Sequence, residues 1–132
     1  MISTRGRYAL RVMIDLAEHM DDGFIPMKEV AARQGISLKY LEQILPVLSQ
    51  NNYVKGVHGK GGGYILAKKP DEIRVGDVLR LTERDLAPVA CLSEGAEPCE
   101  RENVCPTLDF WKGYNKVVTE YLDSKTLADF LK

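Results

Sequence analysis

The sequence predicts a mainly α fold with a small β hairpin and a long helix towards the C-terminus. Three observations predict it. Apolar residues recur at helical spacing through the first fifty positions. Two short β-type runs follow, joined by a glycine-rich turn. A long, strongly aromatic helical stripe then occupies the last third. A chain of 132 residues and 14.8 kDa, 45% hydrophobic and 28% charged, suits one compact globular unit. No apolar run approaches the roughly 18 residues of a membrane span, and no signal-type stretch opens the chain, so a cytoplasmic protein is expected.

Tyr8, Ala9, Val12, Met13, Leu16 and Ala17 make the stripe of a first helix over about 4–20, broken by Asp21-Asp22-Gly23. A short second helix is expected over about 27–34, with Val30 and Ala31 inward. Gly35 suits the left-handed position after its end. Ser37 is a natural cap for a third helix, whose buried side carries Leu38, Leu41, Leu45 and Leu48. Pro46 is expected to kink or end that helix, because it cannot bond the carbonyl of Glu42. Residues 53–57 and 64–67 read as paired strands around His58-Gly59-Lys60-Gly61-Gly62-Gly63. A short helix near 75–83 follows. Residues 84–105 lack periodicity and read as a loop. Pro106 is placed to open a helix over about 106–122, with Leu108, Trp111, Tyr114, Val118, Tyr121 and Leu122 along it. A stripe so aromatic needs a partner, and a second copy of the chain is the simplest. Leu127, Phe130 and Leu131 belong to a last short turn.

The second and third helices, joined by Gln34-Gly35-Ile36-Ser37, make a helix-turn-helix candidate, and three helices followed by a glycine-rich hairpin have the order of a winged helix. In such a unit the second helix of the motif enters the major groove of DNA. Its outward residues here are Ser37, Lys39, Tyr40, Glu42 and Gln43. Gln pairs with adenine, Glu accepts from the cytosine amino group, and Ser and Tyr hold phosphate. An ordinary solvated helix face has the same composition, so the wing decides. Three consecutive glycines cost the hairpin conformational entropy, yet let backbone N–H groups approach a phosphate closely. His58, Lys60, Gly61 and Gly62 are the expected wing contacts. A phosphate-binding P-loop is excluded, because a strand follows the glycines where a Lys-Ser/Thr pair should open a helix.

Charge divides along the chain. Residues 1–75 carry 11 Lys and Arg against 8 Asp and Glu, and residues 76–132 carry 7 against 11. A basic half suits an anionic partner at one end of the molecule. All three cysteines, Cys91, Cys99 and Cys105, fall in the acidic half. An odd count without a signal peptide argues against a disulfide framework. Clustered thiols of this spacing fit an iron–sulfur cluster, zinc or reversible thiol oxidation, and three inert cysteines is the plain alternative. Paired C-x2–4-C knuckles, the usual zinc pattern, are absent. No catalytic triad order, paired-carboxylate cleft or cofactor fingerprint appears, so an enzyme is not expected.

The stretches Ser3-Thr4-Arg5-Gly6-Arg7-Tyr8-Ala9, Ile36-Ser37-Leu38-Lys39-Tyr40-Leu41-Glu42-Gln43-Ile44-Leu45, Gly59-Lys60-Gly61-Gly62-Gly63-Tyr64 and Ser124-Lys125-Thr126-Leu127-Ala128-Asp129 together resemble the Rrf-two family of bacterial winged-helix regulators. The likeness spans nearly the whole chain and is greatest to the family's iron–sulfur cluster regulators. The resemblance implies a homodimer with crossing C-terminal helices on a palindromic operator. It implies a cluster on Cys91, Cys99 and Cys105, more 2Fe-2S than 4Fe-4S in type, and base reading by Ser37, Tyr40, Glu42 and Gln43. Three positions depart from the pattern. The Cys91–Cys99 gap is longer, Leu108 stands where a histidine ligand is expected, and His58 replaces a wing arginine. Histidine is charged only in part at neutral pH, so minor-groove affinity is expected to rise as the pH falls. The expected organisation is a winged helix-turn-helix DNA-binding part over 1–83, a cysteine-bearing sensor loop over 84–105 and a dimerisation helix with its turn over 106–132. The expected function is a transcription repressor of iron–sulfur cluster biogenesis or related stress genes. A metal-independent thiol-redox or zinc-containing repressor is the alternative.

Overall fold

The periodic apolar stripe at the start of the chain forms the spine of the fold. The computed structural model describes residues 2–83 and 85–132, so the Arg84 end of the expected loop lies outside the described residues. Helix α1 spans Thr4–Glu18 and buries Ala9, Val12, Met13, Leu16 and Ala17. Its cap is Ser3, whose Oγ accepts from the Gly6 N–H at 3.1 Å. It ends two residues before the expected limit, because a 3-10 turn at Met20–Asp22 takes over after the His19 cap.

Helix α2 (Met27–Gln34) and helix α3 (Leu38–Gln50) are joined by Gly35, which is left-handed at φ 64°. Ser37 caps α3 by accepting the Tyr40 N–H at 3.1 Å. Pro46 does not end α3, one of the two outcomes expected of it: the helix runs through it to Gln50. Pro46 is exposed, so water can reach the carbonyl that it leaves unbonded. Leu41, Ile44, Leu45 and Leu48 are buried on the opposite side. Burying four such side chains is worth about 6–12 kcal/mol, more than the roughly 3 kcal/mol a mid-helix proline costs.

Strands β1 (Val54–Val57) and β2 (Gly63–Leu66) pair antiparallel, Val54 opposite Leu66 and Val57 opposite Gly63. A third strip joins them that sequence periodicity did not reveal. Ile25 exchanges hydrogen bonds with Tyr64, donating its N–H to the Tyr64 carbonyl at 2.8 Å and accepting the Tyr64 N–H at 2.9 Å.

Helix α4 (Val75–Thr82) buries Val75, Val78 and Leu79 and packs between α1 and helix α5 (Leu108–Ser124). Helix α5 starts two residues later than expected. Its first backbone bond runs from the Trp111 N–H to the Thr107 carbonyl, which makes Thr107 the cap and leaves Pro106 outside. The expected single stripe is in fact two faces. Trp111, Val118 and Leu122 are half-buried, while Phe110, Tyr114, Val117 and Tyr121 are 50–66% exposed. A 3-10 turn, Leu127–Phe130, returns the chain to the core. Leu127 is fully buried and its N–H bonds the Ile73 carbonyl at 3.0 Å. Arg80 adds a two-pronged ion pair to Asp123 at 2.8 and 2.9 Å, tying α4 to the end of α5.

Candidate nucleic-acid interface and cysteine loop

Helix α3 presents the face that the sequence suggests. Ser37, Lys39, Glu42 and Gln43 are exposed, and Tyr40 is half-buried at the edge of that face. Among the described residues Glu42 and Gln43 make no side-chain hydrogen bond, so their polar ends are available to a ligand. The Ser37 hydroxyl already accepts the Tyr40 N–H, which leaves its proton free to donate. Tyr40 is held by Tyr8 of α1, edge to face with ring centres 5.4 Å apart.

On the wing, His58, Lys60 and Gly61 are exposed and Gly62 is half-buried. The Gly62 N–H closes the turn on the Gly59 carbonyl at 3.0 Å, so it is not free to bind phosphate. The glycines have steric reasons of their own. A Cβ on Gly62 would strike the Val57 carbonyl oxygen, and one on Gly63 the Ile25 carbonyl. Close backbone approach therefore requires Gly62 and Gly63, and phosphate contact is not needed to explain them.

One residue behind this interface was missed. Asp15 lies on the buried side of α1, 1% exposed, and is the core's only buried charged group among the described residues. Arg33 grips it through Nε at 3.0 Å and Nη2 at 2.7 Å, and Gln34 donates at 2.9 Å. Burial pushes its carboxyl up. The hydrogen bonds from Arg33 and Gln34 and the Arg33 charge outweigh this and hold it below the usual carboxylate range. Arg33 thus serves the fold, and the free basic charge of the head is smaller than its sequence suggests. No local pattern in the sequence marks it, because its partners lie 18 and 19 positions away.

Among the described residues the cysteine loop makes only local backbone bonds. Those of Leu92, Ser93, Ala96, Glu102 and Val104 all reach three residues back. Cys91 and Cys99 are exposed and line a shallow pocket of about 200 Å³ with Glu97, Glu102, Leu108 and Lys112. Cys105, half-buried, lies outside that lining. Its Sγ is 3.5 Å from the Thr107 hydroxyl. That bond first, then the Thr107 and Leu108 N–H groups and the Arg101 charge, lowers its thiol from the ordinary range. Among the described residues no three cysteine, histidine or carboxylate groups converge as a metal site. The donor set suits an iron–sulfur cluster chemically, but the loop does not draw the three thiols together. Leu108 makes an apolar wall where a fourth ligand was expected.

Comparison with known proteins covers both halves. The family model Rrf2, described as an iron-dependent transcriptional regulator, matches residues 2–132. The HTH-type transcriptional regulator IscR of Yersinia pseudotuberculosis is 37% identical over 130 residues, 98% of this chain and 78% of that protein. Among solved structures, T. potens IscR superimposes with TM-score 0.78 at 38% identity, covering 98% of this chain and 85% of that one. CymR, the global cysteine regulator of B. subtilis, gives 0.80 at 38% identity, covering 98% and 95%. These relatives are named as regulators, not enzymes, and none of the described helices is long and apolar enough to cross a membrane. The chain is a DNA-binding transcriptional regulator with a winged-helix fold and belongs to the Rrf2 family.

Proposed function

We propose that the chain acts as a homodimer on a palindromic operator, as a repressor of iron–sulfur cluster biogenesis or related stress genes. Operator binding is controlled by an iron–sulfur cluster, 2Fe-2S in preference to 4Fe-4S. The observation that carries the DNA half is the exposed polar face of α3, unpaired at Glu42 and Gln43 and flanked by an exposed basic wing. Ser37, Lys39, Tyr40, Glu42 and Gln43 read the major groove, while His58, Lys60, Gly61 and Gly62 approach the backbone or minor groove. The 1–83 head, 84–105 loop and 106–132 helix divide these tasks, in a cytoplasmic protein.

Cys91, Cys99 and Cys105 are the residues to hold the cluster, and Cys105 is already biased towards the thiolate that ligation needs. When bound, the cluster supplies a redox- and iron-responsive tie between these thiols. The loop has little else to order it, so gathering three thiols changes how it sits against Leu108 and Lys112 of α5. The Glu83 carboxylate stands just before the loop and accepts from Ser3, through its N–H at 2.8 Å and Oγ at 2.7 Å. A change in the loop thus reaches the cap of α1 directly.

The test is anaerobic purification with a 300–700 nm spectrum (about the range of sulfur-to-iron charge transfer) and assays for iron and acid-labile sulfide. The wild type is expected to carry all three signals and Cys99→Ala to lose them. A second reading has its own support: the thiols are apart and one has a lowered pKa, and CymR relatives include an oxidised S. aureus form. A colourless, iron-free protein whose operator binding responds to peroxide would establish the thiol-redox reading. Stoichiometric zinc would establish the zinc one.

A further inference from the structure

Helix α1 carries a ridge beside the recognition helix, anchored by half-buried Tyr8, whose basic side chains stay outside the core. Thr4, Arg7, Tyr8 and Arg11 share one side of α1, opposite its buried stripe. The Tyr8 ring meets Tyr40 at 5.4 Å, so this ridge abuts the first turn of α3. Arg11 lies over the Tyr8 ring at 5.2 Å, bonds the Gln34 side chain at 3.2 Å and also donates to the Gln34 carbonyl. The ridge is thereby braced on both helices of the helix-turn-helix.

Arg7 is different. Among the described residues its one side-chain hydrogen bond is to Thr4 Oγ1 at 3.0 Å, and it is exposed. The first turn of α1 holds no acid, and the nearby Asp15 is taken up by Arg33 and Gln34. Among the described residues no carboxylate pairs with Arg7 or Arg11. An uncompensated guanidinium with most of its donors free is the group that grips phosphate in two-pronged fashion.

We propose that this ridge is a backbone-phosphate contact for the operator duplex, in which Arg7 takes the phosphate while Tyr8 and Arg11 position it against Tyr40. The inference rests on α3 being the recognition helix. Continuity with that helix through Tyr40 favours DNA over an acidic protein surface. Arg7 then fixes the register of the head without reading sequence, and each protomer of a dimer contributes one contact.

The test uses the full chain, an operator selected with it from random duplexes, and a scrambled duplex. Affinities are measured by fluorescence anisotropy from about 50 to 300 mM salt. Arg7→Gln is expected to weaken binding to both duplexes by the same factor, roughly tenfold, and to reduce the dimer's salt slope by about 1.8, or 0.9 for each phosphate lost. Arg7→Lys should restore most of the slope. Tyr8→Phe, which keeps the ring edge, should behave as wild type, whereas Tyr8→Leu should lose slope with Arg7 intact. Gln43→Ala should change the preference for operator over scrambled duplex and leave the slope alone. An unchanged slope in Arg7→Gln overturns the inference while the recognition-helix reading stands. So does a defect confined to dimer dissociation in sedimentation, which would assign the ridge to the acidic half of a second copy. A Gln43→Ala protein with full operator preference overturns the recognition-helix reading instead.

Discussion

Asp15 shows what one residue contributes. A carboxylate 1% exposed persists in the core because Arg33 and Gln34 satisfy both its oxygens, and these two residues end α2 just before the turn. Removing it leaves Arg33 unpaired but partly in water, so Asp15→Ala should cost about 2–3 kcal/mol, less than a fully buried pair, measured by urea unfolding. The pH dependence has a definite sign. The Asp15 pKa is lowered on folding, so its stabilisation is complete above the unfolded carboxylate pKa and fades as the pH falls through the folded value. Wild type should therefore lose stability in acid more steeply than Asp15→Asn. Sequence reading found the cap Ser37 and the outward set of α3, because both follow from helical period. It could not find Asp15, whose meaning depends on a partner 18 positions away.

At the scale of elements, periodicity located the five α-helices of the described residues, and the errors fell where backbone geometry outweighs pattern. Pro46 does not end α3, since its unbonded neighbour faces solvent while four leucine and isoleucine side chains hold the inner face. Pro46→Ala should accordingly raise the melting temperature, by restoring one backbone bond on an exposed helix surface. The wing's third strip, Ile25 against Tyr64, escaped notice because a single pair of bonds has no period. It makes Gly63 irreplaceable, with φ at 153° and the Ile25 carbonyl where a side chain would stand. Gly63→Ala should displace the wing and weaken operator binding about tenfold or more, with far-UV circular dichroism nearly unchanged because the helices do not depend on it.

The whole molecule is a basic head joined to an acidic, cysteine-bearing half through α4 and the returning Leu127 turn. Phe110, Tyr114, Val117 and Tyr121 stand on the face of α5 that turns away from the head, a pattern that suits two copies laid along each other. Replacing Tyr114 and Val117 together by Glu should give a folded monomer by sedimentation and abolish high-affinity binding to a palindrome. The fold class and the candidate DNA face were legible in the sequence because they are local patterns. The relative placement of the three thiols was not, since no local rule sets Cys91, Cys99 and Cys105 against one another, and among the described residues they do not converge. The most direct test compares operator affinity, under anaerobic conditions, of protein loaded with iron and sulfide and of the same protein stripped of both. Cluster control requires a difference within about 5- to 150-fold that disappears in Cys99→Ala. Equal affinities for the two wild-type forms would contradict it.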